Sequence, residues 1–144
     1  MLPPSLTIAP VGPDTAMPPL ALLHTSDLHN HIDLRMAGQL RHLRMEHGAM
    51  LCDCGDAIWA GNVFVRIGPE PAIRRMNEAG YAAMALGNRE YFFRARGLLT
   101  KTIEAQFPVL AANLVARSGD LVHVRRWTVR EAAGGARVGL FGLT

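Results

Sequence analysis

Apolar residues in this chain gather in five short runs: "LALLHT", "AMLCDC", "YAAMAL", "FPVLAANL" and "ARVGLFGL". They are apolar at consecutive positions, not alternate ones, which suits strands buried on both faces as in a parallel sheet. Helical periodicity fills the gaps between the first four. In "LRMAGQLRHLRMEHG", Met36, Leu40 and Leu43 recur at i, i+4 and i+7, and Gly48 is placed to end the helix. In "PEPAIRRMNEAG", Pro71 suits a first helical turn, Ala72, Met76 and Ala79 form an apolar stripe, and Gly80 stops it. A third helix is expected in "ARGLLTKTIEAQ", with Leu99 and Ile103 facing inward. The tail "DLVHVRRWTVREAAGGARVGLFGLT" has strand-like arms on either side of Gly134-Gly135, which predicts a hairpin. The class is therefore α/β, built from right-handed βαβ units with a C-terminal hairpin.

Composition changes this picture little. The 144 residues suffice for one small domain with a core, and 49% are hydrophobic. A net charge of +3 permits an anionic partner. The arginines, however, are spread over helix-like segments as a solvated face, so the charge does not select nucleic acid. Cys52 and Cys54, two apart on one expected strand, are poorly placed to bridge each other and read as small residues in a reducing compartment. No stretch is long enough to cross a membrane. Residues 1–16 form a Pro-rich segment without periodicity, expected to be a loose leader ahead of a domain running from 17 to 144. It lacks the cationic start and apolar run of a signal peptide, so the expected compartment is the cytoplasm.

Candidate chemistry lies where the apolar runs stop. In open α/β sheets, ligands bind beyond the carboxyl ends of the strands. The first run ends in Asp27 and His29, the second in Asp53 and Gly55-Asp56, the third in Gly87-Asn88 and the fourth in Asn113. Asp27 and His29, two apart on extended chain, would point to one side and could share a metal ion. Each acid or amide taken alone also reads as an Asx turn or helix cap. Taken together, convergent oxygens and an imidazole suit Mn, Fe, Zn, Ni or Co.

The ordered set "HTSDLHNH", "CDCGDAIWAGN", "ALGNREYF" and "FPVLAANL" resembles the N-terminal half of the calcineurin-like metallophosphoesterases, nearest to their 5′-nucleotidase and 2′,3′-cyclic-nucleotide phosphodiesterase branch. The resemblance implies half of an α/β/β/α sandwich with two divalent metal ions at the strand ends, and hydrolysis of a phosphate ester, with a nucleotide as candidate substrate. By position, Asp27 and His29 match holders of the first metal, Asp56 the bridging carboxylate and Asn88 a ligand of the second. A site that binds metal or phosphate without turnover is the alternative.

Two departures from the family pattern bear on activity. The family's G-N-H-E stands here as Gly87-Asn88-Arg89-Glu90, and the aspartate that partners the missing histidine is replaced by Phe92. Arg89 can clamp a phosphate but, as a permanent cation, cannot supply a proton. The family also continues past a strand like "VGLFGLT" into a second half that carries further histidines. The histidines here outside the D-x-H pattern are poor substitutes: His24, His42, His47 and His123 fall in elements away from the site. His31, the nearest, reads equally as an orienting group or a polar turn residue. The expected role of the chain is part of a phosphoesterase, weak or inactive by itself.

Overall fold

A computed structural model describes residues 20–59, 69–91, 94–115 and 123–144, with the side chains of 91–96 excepted. The leader at 1–16 and Phe92 lie outside the described residues. Five strands, β1 (Leu22–Thr25), β2 (Met50–Asp53), β3 (Ala83–Ala85), β4 (Val109–Leu110) and β5 (Val124–Arg125), pair in parallel in the order in which they occur along the chain. The register sets Thr25 beside Asp53, Asp53 beside Met84, and Ala85 beside Leu110. The chain segments after β1, β2 and β3 thus leave from one edge of the sheet, which is where a site can form. No helix among the described residues is long and apolar enough to cross a membrane.

Helices α1 (Leu34–Glu46) and α2 (Pro71–Ala79) pack together on the sheet. Asp33 caps α1 by accepting a hydrogen bond from the backbone N–H of Met36 at 2.7 Å. The expected stripe of α2 is realised in full: Ala72, Met76 and Ala79 have no exposed surface, and Gly80 ends the helix in the left-handed conformation. Burial of Ile73 and Met76 alone contributes about 1.5–3 kcal/mol for each side chain. Along α1, Met36 and Leu40 pack on the core, but Leu43 is exposed. In that last turn the inward contact is made by Arg44, whose guanidinium lies against Gly80.

A short α3 (Asn88–Tyr91) precedes α4 (Arg94–Thr102). On α4 the buried apolar side chain among the described residues is Leu98, against Val109 and Leu86, while Ile103 lies beyond the helix and is exposed. The expected inward pair Leu99 and Ile103 is therefore displaced by one position. The hairpin forms from β6 (Trp127–Glu131) and β7 (Arg137–Phe141), antiparallel, with Gly134 and Gly135 both at positive φ in the turn. One part of the expected hairpin belongs elsewhere. Val124 and Arg125 pair with β4 as the fifth parallel strand, entered from a left-handed His123 and set off from β6 by a bend at Arg126.

The hairpin is anchored at both ends of the sheet. Arg130 Nε donates to the carbonyl of Ala82, just ahead of β3, and the N–H of Ala112 donates to the carbonyl of Gly142 beyond β4. Leu22 and His24 on β1 remain exposed.

Candidate metal centre

Three of the four expected ligands converge. Asp27, His29 and Asp56 each present one ligand atom, and these lie within 4.8 Å of one another, the one such group among the described residues. The backbone makes this possible by unusual means. Asp27, His29 and Asp56 all have positive φ, at 54°, 45° and 56°, and so does Asn30 at 62°. Such conformations cost a non-glycine residue roughly 1–2 kcal/mol each, and Asp and Asn tolerate them best. The alternating geometry of an extended strand is therefore not how Asp27 and His29 meet; both sit in a turn past the end of β1. That turn is held to the one after β2 by three backbone hydrogen bonds: Asp27 to Gly55, His29 to Asp56 and Asn30 to Ala57, at 2.8–3.1 Å.

The donor set fits a divalent cation. His29 Nε2 is buried and has no hydrogen-bond partner. Its separation from Asp27 Oδ1, 3.6 Å, is too long for a hydrogen bond. An imidazole nitrogen in that position, beside two carboxylates, is incomplete without a cation or a proton.

Asn88 opens α3 and is exposed. The residues on either side of it both meet Asp56: the N–H of Arg89 donates to Asp56 Oδ1 at 2.9 Å, and Gly87 abuts the same oxygen. Arg89, half-buried, is thus held at the site by its main chain. Asn113 is exposed and exchanges hydrogen bonds with Thr144, while His31 is exposed after the turn. Of the remaining histidines, His42 faces Glu46 along α1 and His24 lies 3.9 Å from the thiol of Cys54. Burial pushes the thiols of Cys52 and Cys54 up, away from the reactive thiolate form.

Two buried carboxylates support the centre from behind. Asp53 makes an Asx turn, accepting from the N–H of Gly55 at 2.9 Å and from Thr25 Oγ1 at 2.6 Å. Thr25 Oγ1 is also 2.8 Å from the hydroxyl of Tyr81. Burial, with added repulsion from Asp27 and Asp56, pushes Asp53 up to about 6 against its hydrogen bonds. Glu90, fully buried, receives the N–H groups of Gly87 (2.8 Å), Asp56 (3.1 Å) and Ile58 (3.2 Å). Burial outweighs those three donors and raises Glu90 to about 7. Sequence reasoning gave Glu90 no task of its own. The available signal was an acidic residue three positions after a strand-end glycine, in the first turn of a helix.

No family model matches the chain. A snake venom 5′-nucleotidase from Gloydius brevicauda is 28% identical over 148 residues, covering 87% of this chain and 25% of its own length. The NAD nucleotidase of Haemophilus influenzae superposes with a TM-score of 0.71 at 22% identity, over 86% of this chain and 26% of that one. The calcineurin-like phosphoesterase YfkN of Bacillus subtilis does so with a TM-score of 0.58 at 24% identity, over 84% and 46%. The parallel sheet of five strands with its small hairpin is a metallophosphoesterase fold. The chain is similar to 5′-nucleotidases in sequence and to these phosphoesterase structures in fold, and it spans about a quarter of the length of the curated relatives it matches.

Proposed function

We propose that this chain forms the first part of the active centre of a metal-dependent phosphoesterase whose substrates are nucleotides or similar phosphate esters. The observation that carries the reading is the convergence of Asp27, His29 and Asp56 around a buried, unpartnered imidazole nitrogen. The names of its relatives, nucleotidases and phosphoesterases, favour turnover over a site that merely binds. In this reading Asp27 and His29 would hold one divalent ion of the set Mn, Fe, Zn, Ni and Co, Asp56 would serve that ion and a second, and Asn88 would offer its amide oxygen to the second. Such ions supply Lewis-acid polarisation of a phosphoryl oxygen and acidify a water molecule. Asp56 suits sharing because a carboxylate has two oxygens and a full charge to place between two cations. Arg89 lies beside Asp56 and offers a planar, permanently charged fork for phosphate oxygens, so it orients the substrate and does not protonate the leaving group.

Calorimetric titration of Mn²⁺ into the full chain, with Asp56→Asn and His29→Ala alongside, tests the centre. Wild type should bind, His29→Ala should bind at least tenfold more weakly, and Asp56→Asn should be the weakest. Equal affinities in all three would remove these residues from the role. A 5′-nucleoside monophosphate should show Mn²⁺-dependent line broadening at its phosphorus resonance when the protein is present, and no broadening beyond that of free Mn²⁺ would remove the nucleotide.

A further inference from the structure

His29 has a hydrogen bond to its backbone N–H but none to Nε2, and the carboxylate of Asp27 meets Ser26 Oγ, its neighbour in sequence. Their positions are thus imposed by the main chain of a turn with three residues at positive φ. Such a turn persists only where its surroundings over-determine it. Asn30, the last of the three, is the residue through which the rest of the fold takes hold of it. Its Nδ2 donates to Glu70 Oε2 at 2.5 Å, its Oδ1 accepts from the N–H of Ala72 at 3.1 Å, and its own N–H donates to Ala57. Glu70 in turn receives Lys101 Nζ on its other oxygen. Glu70 has no exposed surface and Lys101 has 2%.

A buried ion pair is a poor stabiliser, because desolvation cancels much of the attraction and apolar residues of equal volume often do better. This one joins three separate parts of the chain: the turn after β1, the start of α2 and the end of α4. We propose that Asn30, Glu70 and Lys101 form a positioning clamp for the metal-binding turn, with the Lys101–Glu70 pair fixing where Asn30, and through it His29 and Asp27, must stand. The inference rests on the proposed metal centre for its consequence, but not for the clamp itself. None of the three touches the reacting atoms; all three act through His29 and Asp27.

The test has two arms on the full chain. In the first, without metal, amide hydrogen exchange is followed in wild type, Asn30→Ala and Lys101→Met. Both variants should lose at least tenfold protection at the N–H groups of Asp27, His29 and Asn30, with protection kept at Cys54, whose N–H pairs with Thr25 at the other side of the strand end. Unchanged protection in the turn, or an equal loss at Cys54, would overturn the clamp. In the second arm, Mn²⁺ affinity should fall about tenfold or more in both variants. Asn30→Ala should cost less when His29→Ala is already present than it does alone, because only its effect through Asp27 then remains; fully additive losses would overturn the link to His29. If Lys101→Met does not fold, Glu70→Gln/Lys101→Met serves in its place: it leaves no lone buried carboxylate, keeps an acceptor for Asn30, and should recover most turn protection while remaining weaker than wild type for Mn²⁺. Wild-type affinity in that double variant would overturn the role of the ion pair. Failure of wild type to bind Mn²⁺, with turn protection still lost in the variants, would defeat the metal centre and leave the clamp.

Discussion

Gly87 leaves no room beside Asp56: a Cβ built on Gly87 would lie 2.3 Å from Asp56 Oδ1 and 2.4 Å from its backbone nitrogen. Gly55 is pressed just as closely, with its Cβ position 2.8 Å from the nitrogen of Gly87. The two strand-end turns therefore touch backbone to backbone. This closeness is what lets the N–H of Arg89 reach the carboxylate of Asp56.

Gly87→Ala should therefore displace Asp56 and not merely crowd it, since one of the two clashes is with main chain. Overpacking of this kind costs about 1–3 kcal/mol. Urea unfolding should show a lower midpoint with an unchanged slope, and Mn²⁺ affinity should fall in the same variant. A midpoint within error of wild type would mean that the turns separate without cost.

Glu90→Gln tests the buried carboxylate that ties those turns together. The amide has one acceptor oxygen where the carboxylate has two, so at least one of the N–H groups of Gly87, Asp56 and Ile58 loses its partner. A buried donor left unpaired costs about 1–3 kcal/mol. The variant should lose that much stability at pH 8, where Glu90, raised to about 7, is mostly ionised in the folded chain. The loss should be larger at pH 5, because wild type, whose folded value of about 7 lies above the ordinary 4.5, gains stability as pH falls while the glutamine does not. Equal losses at the two pH values would show that Glu90 stays charged throughout.

The fold was legible in the sequence where apolar runs were continuous or periodicity long, although the expected two-sided burial fails at β1, whose Leu22 and His24 are exposed. The β1–β4 runs and the α2 stripe read directly, because a continuous apolar segment and a stripe ended by Gly80 have few alternatives. Strand β5 was not legible. Val124–Arg125 is two residues long, and its place is set by pairing with β4, which leaves no local periodicity to read. At the proposed site, the strand ends that carry Asp27, His29 and Asp56 could be read, but the way the three converge could not. Left-handed backbone at Asp27 and His29 is stabilised by partners distant in sequence, Gly55 and Asp56, which a local pattern does not display. The buried supports Glu90, Glu70 and Lys101 were hidden for a related reason: charged residues read as surface unless their partners are known.

Asp53 should make the protein lose stability as pH rises. Its folded value, about 6, lies above the ordinary 3.8, so the folded chain holds the proton more tightly than the unfolded one. The contribution is fully present below about pH 4 and is lost as pH rises through 6. Asp53→Asn can keep the acceptor for Gly55 and donate to Thr25, whose own proton then goes to Tyr81. Relative to the variant, wild type should therefore weaken by about 2–3 kcal/mol between pH 4 and pH 8. Unfolding free energies of both proteins at the two pH values check this. A constant difference would show that the buried carboxyl titrates normally.

Arg89 should bind phosphate by charge and shape. Its N–H is fixed to Asp56, so the side chain starts from the edge of the metal centre. A guanidinium makes paired, charge-assisted hydrogen bonds to a phosphate, worth about 1.5–3 kcal/mol. Arg89→Ala should accordingly weaken Mn²⁺-dependent binding of a phosphodiester by roughly ten- to a hundredfold. Arg89→Lys should recover part of the loss, because the charge remains but the fork does not. A diester is the right probe, since its own charge does not change across neutral pH. With arginine in place, any change in affinity from pH 6 to pH 8 should be shared by Arg89→Lys, since neither side chain changes charge in that range. Arg89→His should instead make binding weaken as pH rises through the ordinary histidine range of about 6.5, because the imidazole then loses its charge. If Arg89→Ala leaves diester affinity unchanged in the presence of Mn²⁺, the side chain of Arg89 has no part in holding substrate.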